Sequence, residues 1–221
     1  MATLDSVINP DVSQEVDPLY KAARASLRPL DYTDGDGKVL GHYRAAANSP
    51  ASFAPGSAAQ IANFRFISPT NNAVITRVQL YVSIVTAVTA QRTDPMEVFI
   101  ARNYSVDDTT NSTLANLVNQ KMRTNMSTTL STIRTSATVA GMSGGTKTVD
   151  ALPIGAVGCQ NLLGLGTGVA TTDAYSVVTL GQHPVVLARN EGIILRWGFT
   201  ALATGTVIVG WVVEWAEVGA F

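Results

Sequence analysis

Two histidines and one cysteine are all the imidazole and thiol this chain offers to nucleophilic, acid–base or metal chemistry. Zinc needs three or four nitrogen or sulfur donors converging on one point. His42, Cys159 and His183 are spread along the sequence and form no ligand cluster, so neither a metal nor a cofactor is expected. A reactive thiol needs a base or cation beside it, and the two histidines are the only imidazoles Cys159 could recruit; a small buried apolar group is the simpler expectation for it. Standing alone, Cys159 also excludes an intramolecular disulfide. Ser-His-Asp hydrolysis in an α/β framework would set a G-x-S-x-G elbow between a strand and a helix; the match at Gly141-Met142-Ser143-Gly144-Gly145 falls where a hairpin turn is expected instead, and His183, directly before Pro184, is expected at a loop or strand end. Glu214 and Glu217 could share acid–base work as a carboxylate pair, or simply keep the end of a strand soluble. No catalytic, cofactor-binding or metal-binding residue is therefore assigned, and the expectation is that the protein is not an enzyme.

Two glycine-rich stretches invite a ligand reading and fail it on spacing. Gly164-Leu165-Gly166-Thr167-Gly168 lacks the G-K-[ST] ending that puts a lysine on a phosphate, and its spacing misses the dinucleotide fingerprint. Asp34-Gly35-Asp36-Gly37 alternates carboxylates as a calcium loop does, but Tyr32 stands where the first ligand would be and Tyr43 where the closing glutamate would be. A tight turn is the expected role of these four residues. Asn103, Asn111 and Asn125 each fit N-x-[ST], as chance allows in a Ser/Thr-rich chain.

Charge points the same way. Fifteen Lys and Arg against sixteen Asp and Glu leave a formal charge of −1, so no global field draws the chain to nucleic acid. The densest basic group, Lys21, Arg24 and Arg28, reads as a solvated face. Only 14% of residues are charged, where globular chains carry roughly 25%. A skin of Ser, Thr, Asn, Gly and Ala suits a surface packed against neighbours, because each missing charge spares a desolvation cost at an interface. No basic and apolar leader opens the sequence and no apolar run reaches membrane-spanning length, so use without export and away from a membrane is expected.

The elements that would carry these residues are mostly strands. Residues 1–38 read as an arm broken by Pro10, Pro18 and Pro29, with a short helix expected over Ser13 to Ser26, where Val16, Leu19, Tyr20 and Ala23 recur at helical spacing. Residues 39–221 read as one β domain. Strands are expected at Gly41 to Ala46, Ile61 to Ile67, Val74 to Val85 and Met96 to Ala101, the last two alternating with period 2. A second short helix is expected within Asp107 to Thr132 from Leu114, Leu117, Val118 and Met122. Ile133 to Val139 and Thr146 to Val149 are expected to form a hairpin around Gly141 to Gly145, followed by a long Gly-rich loop from Pro153 to Thr172. Near the end, Val185 to Ala188 is short, whereas Ile193 to Phe199 and Val207 to Trp215 alternate strongly and are joined by Ala203-Thr204-Gly205-Thr206. The expectation is a central antiparallel hairpin with Trp197, Trp211 and Trp215 anchoring the core.

Several segments resemble virion structural proteins of tailed bacteriophages: residues 22–32 (AARASLRPLDY), residues 121–126 (KMRTNM), residues 184–192 (PVVLARNEG), then Ala203 to Thr206 and residues 213–217 (VEWAE). The resemblance touches about a sixth of the chain and runs in order from the arm to the C-terminal strand. It implies a head decoration (cement) protein with a jelly-roll-like antiparallel β-sandwich and an extended N-terminal arm. It also implies a location on the capsid surface after synthesis in the bacterial cytoplasm, with the major capsid protein and copies of itself, in trimers, as partners. It carries over no catalytic residue. Two other readings remain: a carbohydrate- or receptor-binding module of a tail fibre or spike, which would need exposed tryptophans, and a small cupin-like or hydrolytic enzyme.

Overall fold

A computed structural model of the chain describes residues 15–16, 23–24, 41–89, 92–118, 120–122, 126–161, 172–177, 184–198 and 200–219. The chain divides into Met1–Asp31 and Tyr32–Phe221. In the first unit β1 (Glu15–Val16) and β2 (Ala23–Arg24) pair antiparallel, with Glu15 opposite Arg24. These four residues lie inside the stretch expected to be helical, and they are extended instead; the rest of that stretch lies outside the described residues. Asp34 to Gly37, Lys21 and Arg28 lie outside the described residues.

The second unit is all-β. Its strands are β3 (His42–Asn48), β4 (Gln60–Phe66), β5 (Asn72–Thr86), β6 (Arg92–Arg102), β7 (Thr113–Leu114), β8 (Ser131–Thr135), β9 (Thr148–Val149), β10 (Gly155–Asn161), β11 (Thr172–Ser176), β12 (Val185–Leu187), β13 (Gly192–Trp197) and β14 (Thr206–Val218). Two sheets result. The larger runs β10-β6-β13-β4-β8-β7, with β9 sharing the outer edge of β6 with β10; the smaller runs β11-β5-β14-β3, with β12 sharing the outer edge of β5 with β11. Every pairing is antiparallel.

The two sheets pack against each other as a β-sandwich, and period-2 alternation decides what lies between them. Phe64 of β4, Met96 and Val98 of β6 and Ile193, Leu195 and Trp197 of β13 share one core cluster with Leu80 of β5 and Val209, Trp211, Val213 and Trp215 of β14. All three tryptophans are 0% exposed. Each withdraws roughly 150–250 Å² from water, which makes them the largest single side-chain contributions to the core that holds the sheets together. Trp215 stacks on Tyr43 of β3 at 5.5 Å between centroids, and meets Phe64 from the opposite sheet edge-on at 5.0 Å. On the outer side of the smaller sheet Tyr81 of β5 crosses β14 to reach Asn48 of β3, and its ring occupies the space a Cβ at Gly210 would need. Glycine is required there for that crossing.

Several expectations change. Trp197, Trp211 and Trp215 are core anchors as expected, but β13 and β14 do not form a hairpin. β13 lies between β4 and β6 in the larger sheet, and β14 lies between β3 and β5 in the smaller one. Both edges of each strand are therefore already taken, and the link at Ala203 to Thr206 carries the chain from one sheet to the other. The hairpin expected around Gly141 to Gly145 is also replaced: β8 pairs with β4 and β7, while β9 pairs with β6. No helix occurs in the described part of Asp107 to Thr132, where the supposed helical face is mostly solvated; Leu114, Val118 and Met122 are 53%, 57% and 55% exposed. The Gly-rich stretch begins as strand β10, with Gly158 opposite Pro95; residues 162–171 lie outside the described residues.

Candidate functional site

The outer side of the larger sheet is where polar chemistry gathers. Strand alternation that sends Phe64 and Ile193 inward turns Asn63 and Ile194 outward, in register with Phe99 of β6 and Arg134 of β8. Tyr104, Phe99, Ala101 and Ile194 form a second, smaller apolar cluster on this side, so residues after β6 fold back over the sheet and bury what it presents.

Asp108 sits at the centre of that cover and is wholly buried. Its Oδ2 accepts hydrogen bonds from Gln60 Nε2 at 2.8 Å and Asn63 Nδ2 at 2.9 Å. The Gly145 amide donates to Oδ1 at 3.3 Å, and Lys147 Nζ lies 2.7 Å from both oxygens. Lys147 is itself nearly buried, its side chain 11% exposed, with Nζ 5.2 Å from the centre of the Tyr104 ring. Asp107 is held by Arg134 at 2.6 Å and accepts the Asp108 amide at 3.1 Å. Burial, together with the carboxylates of Asp108 and Asp107, pushes the Tyr104 phenol well above its ordinary range. The segments are tied by main-chain bonds as well: Ser105 and Thr110 donate to Thr146 and Ser143 at 3.0 and 2.8 Å, and Ser143 donates back to Thr110 at 3.1 Å. A buried ion pair gains little net stability over an apolar contact. Removing one partner, however, leaves an unpaired charge, so this constellation fixes how the cover sits.

A second buried carboxylate, Glu217, closes the far end of β14. It accepts from the Thr129 hydroxyl, from Leu130 N at 3.0 Å, from Ser131 Oγ at 3.4 Å and from Trp215 Nε1 at 3.2 Å. Desolvation raises its carboxyl above the ordinary value, and these donors pull it partly back. Next to this anchor, residues 114–118 with Thr128, Thr129, Ser131 and Thr132 line a cleft of about 350 Å³ at the β7–β8 margin. The Ser131 amide at this margin is satisfied by the Thr129 hydroxyl at 3.1 Å.

The residues singled out by type are not brought together as a reactive centre. Glu214 and Glu217 lie apart: Glu217 turns to Trp215, while Glu214 faces Arg44 at 3.2 Å and Arg77 at 4.0 Å on the outer side of the smaller sheet. His42 lies on β3, its imidazole pushed below its ordinary value by burial, with Glu214 opposing. Its carbonyl accepts Met122 N at 3.0 Å and its amide donates to Met126 Sδ at 3.3 Å. Cys159 is on β10 opposite Asp94; its side chain, His183 and Gly164 to Gly168 lie outside the described residues. Among the described residues no group of three or more His, Cys, Asp or Glu could hold a metal ion, and no helix is long and apolar enough to cross a membrane. The Asp108 constellation was invisible to motif reading because the groups on its carboxylate lie 37 to 48 residues away along the chain. The one local signal was a pair of adjacent aspartates just after a strongly alternating strand.

Fold and site together define the class: a two-sheet antiparallel β-sandwich with a polar constellation sealed under the cover of its larger sheet. Compared with known proteins, the chain matches no family model, no curated protein and no solved structure.

Proposed function

We propose that the protein is a non-enzymatic virion structural component, a capsid decoration or cement protein that binds the major capsid protein lattice and other copies of itself. The observation that carries this reading is the strand order. β3, β14, β5 and β11 with β12 lie in one sheet, against β4, β13, β6 and β10 in the other. Eight strands take this order when two Greek keys interlock as a jelly roll, the fold implied by the resemblance to phage virion proteins. The thinly charged surface and the exposed Leu114, Val118 and Met122 in the insertion between β6 and β10 support a surface made for contact. Purified particles should contain the chain in stoichiometric proportion to the major capsid protein. A few copies per particle would place it in the tail or portal instead.

The sugar-binding alternative loses its main support. A stacking platform needs solvent-facing indoles, and Trp197, Trp211 and Trp215 are all fully buried.

A further inference from the structure

We propose that Lys147 and Asp108 join in an intramolecular isopeptide bond, formed without any other protein. Three features of the constellation point to condensation beyond simple pairing. First, the reactants are held in place. Nζ lies 2.7 Å from both carboxylate oxygens, so amine and carboxyl group start in contact, and bond formation needs only a turn of the carboxyl plane that brings its face to the nitrogen. The segments carrying the two residues are locked by main-chain bonds between Ser105 and Thr146 and between Thr110 and Ser143. Second, donors stand where charge would develop. Gln60 and Asn63 both aim at Oδ2, at 2.8 and 2.9 Å, as an oxyanion site does for a tetrahedral carbon. Third, the pair is sealed from solvent: Asp108 is 0% exposed and the Tyr104 ring lies beside Nζ. In water, condensation of an amine with a carboxylate runs uphill. Inside this cover, exchanging two buried charges for a neutral amide removes the desolvation penalty that both ions carry.

The step balances without an added reagent. The Lys147 ammonium passes one proton to Oδ1, and the neutral amine forms a bond from Nζ to the Asp108 carboxyl carbon while negative charge gathers on Oδ2. A second proton moves from nitrogen to Oδ1, the bond from carbon to Oδ1 breaks, and one water leaves. The amide keeps Oδ2 as its carbonyl oxygen, still facing Gln60 and Asn63, and one hydrogen on nitrogen.

Intact-mass measurement on the purified full-length chain decides the matter, with Lys147→Arg made in the same way as the reference. The wild-type chain is expected to be lighter by one water after allowing for the substitution, and fragmentation should give a branched peptide joining residues 108 and 147. A wild-type mass equal to the sequence mass, both fresh and after prolonged warm incubation, overturns the proposal. Loss of one ammonia with a branch at Asn63 overturns it too, by making the amide the group attacked, and so does loss of water mapped to any other pair. The wild-type measurement needs no variant to fold.

Discussion

Trp215→Phe and Trp211→Phe remove the same atoms from the same strand and should have different consequences. Both indoles are fully buried on the inner side of β14. Each substitution leaves a void of about 40 Å³, which at about 24 cal/mol per Å³ costs about 1 kcal/mol. The difference lies at Nε1. In Trp215 it donates to the Glu217 carboxylate at 3.2 Å, whereas the Nε1 of Trp211 has no hydrogen-bond partner among the described residues. Deleting a donor to a buried charged group costs about 1.5–3 kcal/mol, while deleting an unsatisfied buried N–H returns about 1 kcal/mol or more of desolvation. Trp215→Phe should therefore destabilise by about 2.5–4 kcal/mol, whereas Trp211→Phe should cost about nothing or stabilise slightly. Urea unfolding followed by far-ultraviolet circular dichroism, which does not depend on the tryptophans removed, separates them. With a denaturant slope of about 2–3 kcal/mol per molar for a chain of this size, the two midpoints should differ by roughly 1 M. Equal midpoints would refute the reasoning, because the loss would then come from ring volume alone and the Glu217 contact would count for nothing.

Three further outcomes follow from described contacts. Gly210→Ala should destabilise by about 1–3 kcal/mol, because the new methyl displaces the Tyr81 ring from its path to Asn48; adding Tyr81→Ala should recover most of the loss, and additive costs in the double variant would contradict the account. Burial raises the Glu217 carboxyl above its ordinary 4.5, so the folded chain holds this proton more tightly than the unfolded chain. Stability from this group is then greatest below the ordinary value and is lost as pH rises through the raised one. Wild type should accordingly gain on Glu217→Gln as pH falls from neutral towards 4.5, and a pH-independent difference in unfolding free energy would remove the premise. Val118→Lys, at a position 57% exposed beside the cleft, should change stability by less than about 0.5 kcal/mol while lowering incorporation into particles; unchanged incorporation would take this margin out of the contact surface.

Alternation made the interior legible. The runs in β5, β13 and β14 told which side chains face inward, and the burial of Trp197, Trp211 and Trp215 follows from that alone. The same alternation is silent on which strand lies alongside. Ile193 to Trp197 and Val207 to Trp215 looked like hairpin partners because they are close in sequence, whereas hydrogen bonding put them in opposite sheets, each between strands from much earlier in the chain. The spacing of Leu114, Leu117 and Val118 imitated a helix within a stretch whose Asn, Ser and Thr bond the backbone locally. The Asn116 side chain, for example, accepts the Val118 amide at 3.1 Å. Asp108 could not be singled out because its meaning depends on Gln60, Asn63 and Lys147, which only the folded sheet and its cover bring together.

The place of β14 also governs when the sandwich can exist. This strand ends at Val218, and it is the inner neighbour of both β3, the first strand of the second unit, and β5. While the chain is being synthesised, the smaller sheet lacks its middle until β14 itself has been made, and until then β3 has no partner within that sheet among the described strands. Such long-range closure makes folding slow and cooperative. A product cut short before β14 lacks the strand that joins β3 to β5 and cannot complete the smaller sheet.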